Sequence, residues 1–192
     1  MHVIAGRFRG RRLDVPAGRG TRPTLSRIRE NLFNILNPRM TGSRFLDLFA
    51  GSGSIGCEAL SRGARRVTMV EFNARAHAAL AANVARLDPH GEATRLLKAD
   101  ATWGLRQLVH AGEMFDIAFL DPPYGDPWPE AAWQRDLAEL CAPDAWIVVQ
   151  HARRAIAPDA WAGRRAFDRR GYGKTGLTFY RATPDTTTGS TD

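Results

Sequence analysis

Asp121-Pro122-Pro123-Tyr124 follows the apolar run Phe115-Asp116-Ile117-Ala118-Phe119-Leu120. Two consecutive prolines fix the backbone and remove two N–H donors, so the carbonyls there can only accept. The Asp121 carboxylate and the Pro122 carbonyl make an acceptor-only cradle suited to an NH2 group, and Tyr124 offers a flat face for a planar base. The amino nitrogen of guanine or adenine is a poor nucleophile because its lone pair is delocalised into the ring. Acceptors on both protons localise that pair, after which a methyl donor need only be held in line at short distance. Asp121 would also stabilise the positive charge developing on nitrogen. A rigid turn alone would account for the prolines but not for the flanking Asp and Tyr. These residues predict methyl transfer to an exocyclic amine, with no metal and no covalent intermediate.

The methyl donor needs a second pocket, and Phe45-Leu46-Asp47-Leu48-Phe49-Ala50-Gly51-Ser52-Gly53-Ser54-Ile55-Gly56 reads as a strand, a glycine turn and a helix start. Glycine serves where the backbone takes positive φ or a ligand lies against it, and the helix offers amide N–H groups to whatever sits above the turn. Read literally, Gly51 to Gly56 is a dinucleotide fingerprint with Glu71 placed 18 residues after Gly53, which invites a nicotinamide. The acidic residues favour S-adenosylmethionine instead. Asp47, Glu71, Asp100 and Asp121 fall at the ends of successive predicted strands, along one edge of a parallel sheet. Each alone reads as a helix cap or a solvated loop; four in register define a crevice. Glu71 would accept from both ribose hydroxyls, Asp100 from the adenine amino group with the Ala101 N–H on a ring nitrogen, and Phe72 would pack on the adenine. Asp47 beneath the turn would welcome a cationic amine or sulfonium and repel a pyrophosphate.

Short apolar segments alternating with helical ones must position these groups. Strands are predicted at 44–49, 66–70, 94–98, 115–120 and 145–150, and helices at 55–62, 73–87, 102–111 and 129–141, the pattern of a parallel sheet with helices on both faces. A helix over Leu25–Leu36 buries Leu25, Ile28, Leu32, Ile35 and Leu36, is capped by Thr24, and stops at Asn37-Pro38. Arg164–Tyr172 and Leu177–Arg181 read as a closing hairpin across Gly173-Lys174-Thr175-Gly176, which adds one antiparallel strand. Residues 1–20 form two short strands or an extended arm turning at Pro16-Ala17-Gly18, too basic to join the core. The division is a basic arm and helix at 1–40, a catalytic domain at 41–182 and a disordered tail at 183–192.

The chain has 192 residues and a net charge of +7, unevenly placed. Residues 1–30 and 151–181 each carry a net +6, while the 120 residues between them carry −3. Positive charge segregated onto two flanks is the footprint of a polyanion site. Arg outnumbers Lys by 25 to 2, which suits phosphate forks and base stacking. No apolar run is long enough to span a membrane, and no signal peptide opens the chain. Cys57 and Cys141 fit no metal spacing and read as buried free thiols in a reducing cytoplasm. Neither sits in a motif for nucleophilic attack on cytosine.

Asp-Leu-Phe-Ala-Gly-Ser-Gly, Glu71, Asp100 and Asp-Pro-Pro-Tyr, in this order, resemble a class I methyltransferase acting on exocyclic amines. Ile4-Ala5-Gly6 … Arg9-Gly10-Arg11, Arg22-Pro23-Thr24 … Arg27 … Arg29-Glu30 … Leu32-Phe33-Asn34 and Arg170-Gly171-Tyr172-Gly173-Lys174-Thr175 … Phe179-Tyr180 are similar to one family within it, the bacterial 16S rRNA guanine-N2 methyltransferases of the RsmD type. The resemblance covers roughly residues 2–181. It implies a Rossmann-like, mostly parallel seven-stranded sheet with one antiparallel strand, helices on both faces and a short N-terminal extension. It further implies a cytoplasmic monomer that methylates N2 of a guanine in 16S rRNA, free or within a partly assembled small subunit, during ribosome maturation. By position, Asp47, Phe49, Gly51, Gly53, Glu71, Phe72, Asp100 and Ala101 would hold S-adenosylmethionine. Asp121, Pro122 and Tyr124 would hold the guanine, and Arg7, Arg9, Arg11, Arg12 and Arg22 would face RNA. A DNA adenine-N6 methyltransferase would use the same cradle but has no long target-recognition segment here. A glutamine methyltransferase would ordinarily carry Asn in place of Asp121, and a non-catalytic RNA-binding assembly factor would not need the cradle at all.

Overall fold

The structure, a computed structural model, describes residues 1–15, 23–122 and 131–182. Pro123, Tyr124, Arg22, the Pro16-Ala17-Gly18 turn and the tail at 183–192 lie outside the described residues. The elements run α1 (Pro23–Met40), β1 (Arg44–Asp47), α2 (Ser54–Ser61), β2 (Arg66–Val70), α3 (Ala74–Ala85), β3 (Thr94–Leu97), α4 (Ala101–His110), β4 (Phe115–Leu120), α5 (Ala131–Leu140), β5 (Cys141–Ala152), β6 (Ala160–Trp161), β7 (Arg164–Tyr172) and β8 (Thr175–Arg181).

The sheet order is β3-β2-β1-β4-β5-β8-β7-β6. β1 to β5 are mutually parallel, and β8 runs antiparallel to β5. This is the expected mostly parallel α/β sheet, with eight strands rather than seven. The extra strand is the two-residue β6, paired antiparallel with β7, too short to leave a periodic signal. The closing hairpin turns over Gly173-Lys174 alone, because Thr175 and Gly176 already pair with Tyr172 and Gly171. β5 begins at Cys141, not at 145, through a shifted pairing of Phe115 with Cys141.

The two faces of the sheet carry separate apolar cores. One joins Phe45, Val67, Met69, Ile117 and Phe179 to Ile28, Leu32, Phe33 and Leu36 of α1, to α2 and to Leu80 and Val84 of α3. The other joins Leu46, Val70, Ala118, Leu120 and Val149 to Leu105 and Leu108 of α4 and Leu137 and Leu140 of α5. Period-two alternation along β1 sends Phe45 and Leu46 to opposite faces, and helices cover both. Each such side chain contributes roughly 1.5–3 kcal/mol on full burial.

Two expectations for α1 are overturned. The helix starts at Pro23, so Thr24 lies inside the first turn; proline is preorganised for the first helical position. It also runs through Pro38 to Met40. Proline's fixed φ is a helical value, and this near the helix end it removes a single backbone bond. The last turn is held by Met40, which is fully buried, and by Arg39 Nη2 donating to Asp144 Oδ2 at 2.6 Å.

The N-terminal arm does join the core, contrary to its basic composition. It folds back on itself through Val3 N–H to Arg11 O (3.0 Å), Gly10 N–H to Val3 O (2.9 Å) and Leu13 N–H to Met1 O (2.7 Å). Val3 and Leu13 are buried beside α1 and the sheet. Two apolar anchors among many arginines suffice, because the arm lies across helices that already present an apolar surface.

Candidate active site

The strand order reverses between β1 and β4, and ligands of open α/β sheets bind outside the carboxyl ends of the strands at such a point. Asp47 closes β1 opposite Phe119 of β4, and Asp121 follows two residues beyond Phe119. Glu71 follows β2, and Asp100 precedes α4. All four predicted carboxylates therefore share one edge.

Acidic residues at the opposite edge behave differently. Asp116, near the start of β4, takes the Arg44 guanidinium at 2.8 and 3.1 Å and the Arg44 amide at 2.7 Å. The hydrogen bonds from Arg44 hold its pKa below the usual carboxylate value, against a smaller effect of burial. Asp47 has no such partner. Its Oδ2 accepts the Gly56 N–H at 3.1 Å, inside the first turn of α2. Its Oδ1 is buried with no hydrogen bond. Burial pushes the Asp47 pKa up to about 7; the charges of Asp121 and Glu71 add to the rise, and the amides of Gly56 and Phe49 oppose it. A buried, under-satisfied carboxyl at a ligand edge suits a cationic ligand group. A pyrophosphate there would be repelled.

The turn above Asp47 is built for close approach. Gly53 takes φ 86° as the cap of α2, a value disfavoured for residues with a Cβ, and a Cβ there would lie 2.4 Å from Leu80 Cδ1. Gly56 lets α2 lie on β2, since a Cβ would sit 2.3 Å from Met69 Sδ. Glu71 fastens the turn: its Oε2 accepts the Gly51 N–H at 2.7 Å and its Oε1 the Asn73 N–H at 2.6 Å. Each carboxylate oxygen retains capacity for a second donor. Asp100 performs the helix-cap role weighed for it, its Oδ1 accepting the Trp103 N–H at 2.9 Å, and Ala101 is the first, buried residue of α4. Phe72 is 72% exposed, large for a phenyl ring beside a crevice. Phe49 is half-buried, its ring centroid 5.6 Å from that of Trp133, whose Nε1 donates to Thr102 Oγ1 at 2.9 Å. Asp121 is exposed and Pro122 half-buried at the end of β4; Tyr124 and Arg22 lie outside the described residues. Both cysteines are buried and free, with burial raising their pKa to about 12 (Cys57) and about 11 (Cys141), so neither is a thiolate nucleophile.

The arm docks through residues that sequence reasoning missed. Fully buried Glu58 of α2 accepts the Ile4 and Ala5 amides at 2.8 and 3.0 Å and the Arg62 Nε at 2.7 Å. Arg29, nearly buried in α1, lies 3.9 Å from it and donates to His2 O at 2.5 Å. A charged pair inside otherwise apolar helix faces was a readable signal. Gly6, at φ 84°, passes so close to α2 that a Cβ would lie 1.9 Å from Ser61 O. Asn83 of α3, also fully buried, donates to Asp14 O and to Ser52 O, both at 2.9 Å, and so ties the arm's base to the glycine turn. Arg7 stacks over Phe8 at the arm's bend beside the end of α2, whereas Arg11 and Arg12 line a cleft with Arg86. With the Arg9 N–H donating to Gly6 O at 3.1 Å within the bend, Arg7 and Arg9 fall at one place and Arg11 and Arg12 at another.

The family described as conserved hypothetical protein 95 matches residues 1–181. A Haemophilus influenzae protein named ribosomal RNA small subunit methyltransferase D is 37% identical over 168 residues, 84% of each chain. The Escherichia coli protein of the same name is 41% identical over 124 residues, 65% of this chain and 60% of that one. Among solved structures, yhhF from Escherichia coli superposes with a TM-score of 0.82 at 33% identity, covering 95% of this chain and 97% of its own.

Proposed function

The chain belongs to the conserved hypothetical protein 95 family, and from that premise we propose that it is an rRNA methyltransferase that methylates the exocyclic N2 amino group of a guanine in 16S rRNA. The observation that carries this reading is Asp47: a carboxyl fully buried at the switch point, with one oxygen unpartnered and a second carboxylate, Asp121, at the same edge. S-adenosylmethionine, when bound, supplies an electrophilic methyl group on a sulfonium together with a cationic amine.

Asp47 would face that cationic portion and exchange an unfavourable burial for an ion pair. Glu71 keeps the glycine turn closed and would accept the ribose hydroxyls, Asp100 and the Ala101 amide would meet the adenine edge, and Phe72 would cover its face, with Phe49 flanking the cofactor. Asp121 and the Pro122 carbonyl would accept hydrogen bonds from the two amino protons and so free the nitrogen lone pair for the methyl group, and the Tyr124 ring would stack on the base. The target must first leave its stack, because paired bases hide the amino group. As the N–CH3 bond formed, the S–CH3 bond would break with its electron pair left on sulfur as a neutral thioether, and the excess proton of the methylated ammonium, a strong acid, would pass by way of the Asp121 carboxylate to water. Residues 1–40 serve as the RNA-side extension, and the protein acts as a monomer on rRNA or a partly assembled subunit in the cytoplasm.

Mass mapping of modified nucleotides in 16S rRNA from a strain lacking the gene tests this reading. One N2-methylguanine should disappear and return on complementation. An unchanged map, or loss of a methyl group from DNA adenine, rejects it.

A further inference from the structure

The crevice is lined by carboxylates, so an RNA chain entering it needs basic contacts on the rim. β8 starts at Thr175 opposite Ala152, the last residue of β5, so the β7–β8 turn lies at the carboxyl edge of the sheet, the edge that carries Asp47 and Asp121. Within that turn region, Gly171 pairs with Gly176, and Gly176 pairs with His151. Cross-strand partners point to one face. Two facing glycines leave a side-chain-free shelf there, and His151 of β5 and Arg153, just beyond the strand, lie across it. A Cβ on Gly176 would meet His151 Cε1 at 2.5 Å, and one on Gly171 would meet Arg153 Nε at 3.0 Å and Cζ at 3.2 Å. The Arg153 guanidinium therefore rests on bare backbone, its amide anchored to Lys174 O at 2.8 Å.

Position as well as charge balance sets this tip apart, since Arg165, also exposed and without an ion pair among the described residues, lies beside Arg181 at the opposite end of β7. Arg169 pairs with Asp159, Arg170 with Asp168, and Arg181 stacks over Phe167. Among the described residues, exposed Arg153, Arg154 and Lys174 make no ion pair. β4, which leads into Asp121, lies three strand spacings from β7, about 14 Å. That is a distance a short stretch of nucleic-acid backbone spans.

We propose that Arg153, Arg154 and Lys174 form a phosphate-binding rim that holds the RNA backbone beside the extruded guanine, with Gly171 and Gly176 shaping the shelf on which Arg153 lies. This contact rests on the rRNA reading above and is separate from the N-terminal arm. Arginine on a flat shelf presents its fork outward, the geometry a phosphate takes best.

The test replaces Arg153, Arg154 and Lys174 together with Gln and measures binding to 16S rRNA across a salt series. The log–log salt slope should fall by roughly two units, about 0.7 per lost phosphate contact on single-stranded RNA. Calorimetric affinity for S-adenosylmethionine should be unchanged, which also shows the fold intact. The control, Arg65→Gln with Arg66→Gln, removes exposed charge at the amino end of β2 and should leave the slope near that of the parent. Gly171→Ala, which displaces Arg153 without removing charge, should weaken binding by a smaller factor. A parental slope in the triple variant, or an equal fall in the control, overturns the rim while leaving the rRNA reading in place. A parent protein that does not bind rRNA overturns both.

Discussion

Asp47 and Asp121 stand at the same edge of adjacent parallel strands, Asp47 opposite Phe119 and Asp121 two residues beyond it, and the charge of Asp121 helps raise the pKa of Asp47. Like charges are placed together in a protein where something positive is to come between them. A methyl sulfonium beside an amino group acquiring positive charge fits that description.

The first consequence is a pH-dependent stability. In the unfolded chain Asp47 ionises near pH 4, and in the folded protein at about 7. Between these values the folded state binds the extra proton, so the contribution of Asp47 to stability is fully present below pH 4 and is lost as pH rises to 7, opposite in sense to that of Asp116. Asp47→Asn lacks this loss. Relative to the parent without cofactor, the variant should gain up to about 4 kcal/mol from pH 4 to pH 7, at 1.36 kcal/mol per pKa unit. Denaturant unfolding at several pH values reads this directly, and a pH-independent difference would assign Asp47 an ordinary pKa. Cofactor affinity in the parent should decline below pH 7, because binding then requires release of that proton.

Glu71 fastens the glycine turn, and in the proposed site it would also hold the ligand. Glu71→Ala should weaken S-adenosylmethionine binding by about 1.5–3 kcal/mol, the range for hydrogen bonds to a charged group. Amide exchange at Gly51 should also speed up, since its N–H loses the 2.7 Å bond. Calorimetry with unchanged affinity would remove Glu71 from the site.

The strand-turn-helix order, both helical layers and the four edge carboxylates were legible because each rests on local pattern: apolar runs, glycines and an acid at a strand end. What was not legible depends on contacts between distant segments. Nothing local in Val3 or Leu13 shows that they are buried, and although Glu58 stands out as a charge among apolar helix residues, its partners Ile4 and Ala5 lie 54 and 53 positions away, beyond local pattern. Pro38 was read as a stop because its local cost is real; burial of Met40 overrides it. Asn83 carried no sequence signal at all.

The arm's docking gives a stability prediction. Glu58→Ala leaves Arg29 and two amides without their carboxylate in a buried place, and should cost about 3–5 kcal/mol. Gly6→Ala, with a Cβ driven against Ser61 and an unfavourable φ, should cost at least about 1 kcal/mol and loosen the arm. Protection of the Val3 and Leu13 amides from exchange separates this from global unfolding; retained protection in Gly6→Ala would contradict the docking.

The arm arginines should separate into two pairs. Arg11→Gln with Arg12→Gln removes cleft charge shared with Arg86, and Arg7→Gln with Arg9→Gln removes charge at the bend. Each lost phosphate contact flattens the salt dependence of RNA binding by about 0.7 unit, with cofactor affinity unaffected. A slope unchanged in both pairs would mean that RNA does not touch the arm.

Single-turnover methylation of 16S rRNA, comparing the parent with Asp121→Ala, Tyr124→Phe and Tyr124→Ala, tests the amine cradle most directly. Asp121→Ala removes one of two acceptors and the charge facing the nascent cation, and should slow the step by about 100-fold or more with S-adenosylmethionine still bound. Tyr124→Phe keeps the ring and should retain most activity, while Tyr124→Ala should lose it. Near-parental methylation by Asp121→Ala would contradict the account.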